Sequence, residues 1–295
     1  NGVHAVDTLD GKEYQIKSKV VVNATGVFVD DVMKMDECDT RRKVRPSQGV
    51  HLVVDSKFLG GRSALMMPKT KDGRVLFGVP WHGKVVLGTT DTPLNEASLE
   101  PRALEEEVDF ILDQAGQYLD RKPTRADVLS IFAGLRPLAA PTHADSKKTK
   151  EISRNHKIYR SKSGLLTITG GKWTTYRAMA EDVINQAIVI GGLSPAECVT
   201  KNLRVHGYTK EQFDENDWNY VYGSDADKIQ KMIEKEPSFA EKLYEGYTFT
   251  AAHVVWAARE EFAQNIEDVL ARRVRMLFLD ARAALKIAPK VASVL

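Results

Sequence analysis

The stretch Gly164–Asn185, GLLTITGGKWTTYRAMAEDVIN, decides how this chain is read. Leu165–Ile168 is an apolar run long enough for one strand. From Thr174 the spacing predicts a helix, with Met179, Val183 and Ile184 on one stripe. Gly170 and Gly171 sit at the junction, followed by Lys172. A strand–Gly-Gly–helix junction lets backbone N–H groups come close to a ligand, and a helix N-terminus favours anions. Taken alone, a tight turn with an N-cap threonine is the better account of the junction, so the rest of the chain must decide.

Upstream, Val20–Val22 is a continuous apolar run, the texture of a strand buried on both faces of a parallel sheet. It ends at NATG, Asn23–Gly26, and a glycine just past such a strand is where α/β folds admit ligands. Before it, Val3–Val6 and Glu13–Ile16 flank a hairpin turn, DTLDG. Between the two candidate strand ends the texture changes. GVHLVVD, SALMMP, GRVLFGVPW and GKVVLGTTD are short strands divided by KDG and HGK turns, an antiparallel meander. Pro101–Tyr118 reads as an amphipathic helix with Leu104, Val108, Ile111 and Leu112 on one face. ADVLSIFAGLRPLAAP returns as a strand, and HKIYRSKSGLLTITGG is a hairpin. After about Pro195 the composition turns helical and charged. Helices are expected at Asp225–Lys235, Phe239–Tyr244, Ala251–Phe262, Ile266–Phe278 and from Ala281 onward, with Thr250 as an N-cap.

The bulk numbers restrict the function. The chain has 295 residues, a prior for two domains, and 43% apolar residues, ordinary for a protein with a core. Lys plus Arg number 42 against 40 Asp plus Glu, so no global charge draws the chain to nucleic acid. The basic run ARRVR at 271–275 reads as an ion-paired helix face, since Asp268 stands four residues before Arg272. Cys38 and Cys198 are far apart and outside any CxxC pattern, which argues against a zinc site or a disulfide framework. No run approaches the roughly 20 apolar residues of a membrane helix. No metal site is expected. The first residue is Asn1 and the last is Leu295, each inside an element pattern, so an excised piece of a longer protein is expected.

Arg45, His51, Arg136, Arg154 and Lys172 stand at or near expected strand ends. Basic side chains there can converge on a phosphate, arginine bidentately and lysine as a point charge. Each has a plainer reading. His51, among apolar neighbours, is more often a hydrogen-bonded core histidine than a base. Arg154 suits a solvated hairpin. Arg136, after an apolar strand, needs a partner or a ligand for its charge. The loop GTTDT, Gly88–Thr92, has hydroxyls and an Asp91 suited to cap the helix-like segment that follows; it either lines a ligand cleft or is a structural turn.

Taken together, VVVNATGVFVDDV, RPSQGVHLVV, FGVPWHGKVVLGTTDTP, FAGLRPL, SRNHKIY, GGKWTTYRAMAEDVIN and VLARRVRMLFLD resemble, in order and over most of the chain, the FAD-dependent glycerol-3-phosphate dehydrogenases. Two departures are visible: Val27 and Phe28 follow ATG where the family usually has proline and tryptophan, and no GxGxxG fingerprint is present. The resemblance implies an α+β or α/β architecture. Residues 1–44 would be the second part of an FAD-binding domain of the glutathione-reductase-like, D-amino-acid-oxidase-like type. Residues 45–160 would be an inserted antiparallel substrate domain, 161–198 the returning strand and helix, and 199–295 a helical C-terminal domain. It implies FAD, held by Ala24, Thr25, Gly26, Gly134, Arg136, Gly170, Gly171, Lys172, Trp173 and Thr174, with the helix near Thr174 stabilising negative charge on the reduced ring. It implies oxidation of sn-glycerol 3-phosphate to dihydroxyacetone phosphate, with Arg136, Arg154, Lys172 and Thr175 on the substrate. His51 would be the base, and Arg154 or Lys172 the cation facing the alkoxide. Electrons would go to a quinone, or to oxygen in an oxidase branch. Another flavin oxidase of the same fold, acting on an amino acid or amine, is the competing reading. The expected partners are the small-molecule substrate, the electron acceptor, a membrane surface touched peripherally and a second copy in a homodimer, with no nucleic acid. The expected location is the cytoplasm, at the inner face of the cell membrane. The piece alone is expected to be inactive, without the adenine half of the FAD site.

Overall fold

A computed structural model describes residues 2–71, 73–140, 155–211 and 217–295. The chain divides into two compact units, each assembled from three separate segments. One takes residues 1–49, 91–101 and 134–203; the other takes 50–90, 102–133 and 204–295.

In the first unit, β1 (Gly2–Val6) and β2 (Glu13–Lys17) form the expected hairpin, with Val3 opposite Ile16. β3 (Val22–Asn23) leads into α1 (Val29–Asp36). The first part of β4 (Val44–Asp55) belongs here.

The second unit takes the rest of β4, with β5 (Leu65–Met67), β6 (Leu76–Trp81) and β7 (Lys84–Gly88). These pair antiparallel, Leu52 opposite Leu87 and Gly78 opposite Leu87 on its other side, as the meander pattern requires. After β8 (Thr92–Pro93), which pairs with Ser47 and Gln48 in the first unit, comes α2 (Glu105–Ala115). The helix starts one position inside Leu104, whose N–H donates to Glu107 Oε2 at 2.9 Å, so Leu104 stays at the rim while Val108, Ile111 and Leu112 enter the core. They pack on Val50, Leu52, Val54, Val85 and Leu87. Each such fully buried side chain contributes about 1.5–3 kcal/mol.

β9 (Ser130–Ala139) pairs with β4, and β10 (Lys157–Arg160) with β11 (Leu166–Thr169). β11 also lies parallel to β3, with Leu166 opposite Val22 and Thr167 opposite Asn23. α3 (Tyr176–Gly191) then covers this sheet and stops at Gly192, left-handed at φ 58°, whose N–H reaches the Ile188 carbonyl. Its inward stripe is Met179, Val183, Ala187 and Ile190. Ile184, expected on that stripe, is exposed, because an i, i+4, i+8 row passes it by.

The remaining helices are α4 (Ala226–Lys235), α5 (Ala251–Glu260), α6 (Met276–Leu279) and α7 (Ala281–Val294). Thr250 precedes α5, and its N–H donates to Nδ1 of buried His253 at 3.0 Å. Two expected helices differ. Phe239–Tyr244 is only a short 3₁₀ turn at Pro237–Ala240, after which the Leu243 N–H bonds the Phe249 carbonyl across a turn at Gly246. Ile266–Phe278 is split into a π-helical turn, Asp268–Arg273, and α6, because Arg275 adopts a left-handed φ of 56°. The ion pair read from ARRVR is present: Arg272 meets Asp268 at 3.0 Å and Glu267 at 2.7 Å. No helix among the described residues is long and apolar enough to cross a membrane.

Candidate cofactor and substrate site

The parallel pair β3–β11 brings two distant sequence features to one sheet end. NATG follows β3, and GGK follows β11, both at carboxyl ends, where open α/β sheets admit ligands. Asn23 holds this end together. It is buried, its Nδ2 donates to the Val29 carbonyl at 2.9 Å and to Thr167 Oγ1 at 3.2 Å, and its Oδ1 accepts Thr25 Oγ1 at 2.7 Å. One side chain thus ties the two strands, the ATG turn and the start of α1. The expected site residues did not include it, although a polar residue closing an apolar strand was a visible signal.

Gly26, Gly170 and Gly171 all have left-handed φ, 64°, 77° and 78°. At Gly170 a Cβ would stand 2.8 Å from the Asn155 carbonyl oxygen, and at Gly171 2.4 Å from Met179 Sδ, so only glycine fits this turn. At Gly26 and Gly134 a Cβ would meet nothing within 4 Å, which leaves their backbone open to a ligand. The loop then closes on itself: Thr175 Oγ1 donates to the Lys172 carbonyl at 2.9 Å. The 3₁₀ turn Trp173–Thr175 opens directly into α3. Lys172, Trp173, Thr174 and Tyr176 are exposed, with Trp173 stacked on Tyr176 at 5.4 Å. The Lys172 ammonium has no acidic partner among the described residues. Bare backbone at two strand ends, beside a helix N-terminus and a cation, fits the polar edge of a flavin.

Arg136 lies on β9, half-buried, with Nη1 3.5 Å from Asp91 Oδ1. Asp91 is itself held by the Ser47 hydroxyl. It does not cap a following helix, as one reading of GTTDT had it; the segment after it is β8 and loop. The Arg136 guanidinium lies flat on Gly49, where a Cβ would come within 2.4 Å of Nη2 and 2.7 Å of both Cζ and Nη1. Arg45 stands on β4, half-buried.

His51 is also on β4, within the second unit. Its ring stacks on Phe132, centroids 5.1 Å apart and planes 18° apart. Its other side is open only because Gly88 has no side chain: a Cβ there would stand 2.4 Å from His51 Cδ2. His51 is therefore a clamped, half-exposed ring, not a core histidine sealed in apolar packing. In the same unit Thr90 is buried, accepting the Val50 N–H and bonding Glu107 Oε1 at 2.9 Å, which makes that part of GTTDT structural. Gly49, Gly88, Asp91 and Phe132 support Arg136 and His51, a role that the sequence pattern assigned to none of them. The first two carried a signal, glycines inside strand patterns. Arg154 lies outside the described residues.

Comparison with known proteins extends this geometry. A family model described as FAD dependent oxidoreductase matches residues 1–177, and one described as the C-terminal domain of alpha-glycerophosphate oxidase matches residues 166–295. A mitochondrial glycerol-3-phosphate dehydrogenase of Arabidopsis thaliana is 39% identical over 100% of this chain and 51% of its own length. The human mitochondrial glycerol-3-phosphate dehydrogenase is 36% identical over 99% of this chain and 42% of its own. The chain thus spans about half the length of the curated relatives it matches. The X-ray structure of the Bacillus halodurans glycerol-3-phosphate dehydrogenase complexed with FAD superposes with a TM-score of 0.79 and 30% identity, over 99% of this chain and 62% of that one. Since the first of these matches takes in more than half of the sequence, with both strand ends of the β3–β11 pair inside it, the chain belongs to the FAD dependent oxidoreductase family.

Proposed function

We propose that the protein containing this chain oxidises sn-glycerol 3-phosphate to dihydroxyacetone phosphate, with electrons delivered to a quinone at a membrane surface. The observation that carries the reading is Arg136, a guanidinium laid flat on Gly49 and steadied by Asp91. Such a preset fork matches a phosphate and carries little rotamer entropy into binding. The relatives' names point the same way.

In this reading the four segments inferred from the sequence keep their roles. Ala24, Thr25, Gly26, Gly134, Gly170, Gly171, Trp173 and Thr174 hold FAD, which supplies the hydride acceptor when bound. The N-terminus of α3 favours negative charge beside it. Arg136, with Lys172, Arg154 and Thr175, binds the substrate and fixes which carbon is presented. His51 accepts the C2 hydroxyl proton at a ring nitrogen, its ring held in place by Phe132 and the clearance over Gly88. Lys172 or Arg154 stabilises the alkoxide as the proton leaves. A second copy of the chain and direct membrane contact complete the proposal.

The test is a dye- or quinone-coupled assay of the full-length protein with added FAD, on glycerol 3-phosphate and on glycerol, with Arg136→Lys alongside. Turnover of the phosphate ester alone, with a raised KM in the variant, supports the reading. A flavin-loaded protein that turns over neither substrate overturns it and favours an amino-acid or amine oxidase. Turnover with oxygen alone as acceptor would replace the quinone.

A further inference from the structure

The second unit contains a cavity of about 160 Å³ that the proposed reaction does not use. It is comparable to the ~150 Å³ space that takes up a benzene-sized molecule. Its walls come from the π-helical turn and the residues after it, Arg272–Arg275, together with His82, Tyr222 and Glu261, over an apolar floor that includes Val274 and Leu279.

Four independent features meet there. The backbone is strained: the non-glycine residues with left-handed φ in the described chain are His82 at 46°, Phe262 at 58° and Arg275 at 56°. Two of them line the cavity and the third follows Glu261. Such residues persist only where the surroundings hold them, and they gather at ligand clamps. The π-helical turn is itself a rare element, frequent at functional sites. The third feature is Tyr222, 7% exposed, whose hydroxyl is buried without a hydrogen-bond partner. The side chain is enclosed among Ile229, Ala252 and Trp256. Its ring packs on His253 at 5.2 Å, and the next residue, Gly223, is pressed against the Gly207 carbonyl so closely that a Cβ would stand 1.8 Å from it. A buried hydroxyl left unpaired is costly and calls for an acceptor. The fourth is charge. Arg272 is taken up by Asp268 and Glu267, and Arg273 by Glu261 at 3.7 Å, but the Arg275 side chain has no acidic partner among the described residues. The donors that remain, a guanidinium and a phenol, ask for an anion rich in acceptors, and the apolar floor asks for a small organic part.

We propose that this cavity is a second anion site, taking a small organic phosphate between Arg275 and the Tyr222 hydroxyl, separate from the Arg136 site. Burial pushes the Glu261 carboxyl above the usual range, and Arg273, 3.7 Å away, offsets its charge at the cavity wall.

The test is calorimetric titration of the purified full-length protein with inorganic phosphate and with glycerol 2-phosphate, against chloride at equal ionic strength. Three variants are compared. Tyr222→Phe removes only the unpaired hydroxyl, so its melting temperature without phosphate should be equal or higher, while binding weakens about tenfold. Arg275→Asn keeps a residue that tolerates the left-handed backbone, removes the guanidinium and should weaken binding about tenfold or more. Arg136→Gln should retain the binding event. Glycerol 2-phosphate should bind more tightly than phosphate. Absence of phosphate binding, unchanged binding in the Tyr222 and Arg275 variants, or loss of the event in Arg136→Gln alone would each overturn the proposal.

Discussion

Gly49→Ala tests the substrate reading with little disturbance of the fold. Gly49 is buried on β4, and its φ lies outside the left-handed region, so alanine can adopt the same backbone. The new Cβ would stand 2.4 Å from Arg136 Nη2 and 2.7 Å from Cζ. Ordinary contact begins at roughly 3.5 Å, so the guanidinium must withdraw by about 1 Å. It is the end of a flexible side chain, so the backbone need not follow. A displacement of about 1 Å in a positioning group lowers efficiency by about 100-fold. Loss of a charge-assisted pair, about 1.5–3 kcal/mol, gives a similar range. The effect should fall on KM for glycerol 3-phosphate, with kcat within a few-fold. Stability should hold or rise by about 0.4–1 kcal/mol, because alanine has fewer unfolded conformations to lose. The assay is steady-state turnover of the FAD-loaded full-length protein, paired with a urea melt. An unchanged KM would refute the phosphate role of Arg136. A collapse in stability would show that the guanidinium cannot yield and that Gly49 serves packing.

His51→Ala should lower kcat by about 100-fold or more with a smaller change in KM, read from the same assay; an unchanged kcat removes it as the base. Asn23→Leu strips the partners from the Val29 carbonyl and the Thr167 hydroxyl and should destabilise the protein by about 1–3 kcal/mol in urea, whereas a loss below about 0.5 kcal/mol would show that the strand end holds without it. His253, 2% exposed, is pushed down by burial to about 4, so its neutral form belongs to the fold. The folded-state pKa lies below the unfolded value of about 6.5, so the unfolded chain binds the extra proton, and stability is full above pH 6.5 and falls as pH drops toward 4. Urea melts at pH 7.5 and pH 5 should differ by about 2 kcal/mol from this residue, and His253→Gln should remove that part of the difference; an equal loss in the variant would assign it elsewhere.

The strand ends were legible because the code there is local. A run such as Val20–Val22 followed by NATG, or Leu165–Ile168 followed by GGK, announces strand and turn within a few residues, and the structure joins them in parallel. The hairpins were legible for the same reason. The clamps around the charged groups were not. Arg136 depends on Gly49, and His51 on Phe132 and Gly88, pairings set by register and not by neighbours in sequence. Asp91 next to a polar loop looked like a cap because local hydrogen bonding is the cheaper inference; its use by Ser47 required knowing that β8 returns to β4. The break at Arg275 was invisible, because MLFLD continues an apolar helical period and nothing in an arginine announces a left-handed backbone.

The interleaving of the two units bears on how the protein is made. The chain passes from one unit to the other five times, and the bond from Asn23 to Thr167 spans 144 residues. At a synthesis rate of ~5–20 residues per second, β3 waits roughly seven to thirty seconds for its parallel neighbour to be made. Until then its apolar residues have no sheet to join, and closing so long a loop is slow. Neither unit can be completed from a contiguous stretch of nascent chain. Truncated transcripts should therefore give aggregates or chaperone-bound chains instead of a folded half, and a cell short of holdase activity should lose this protein early.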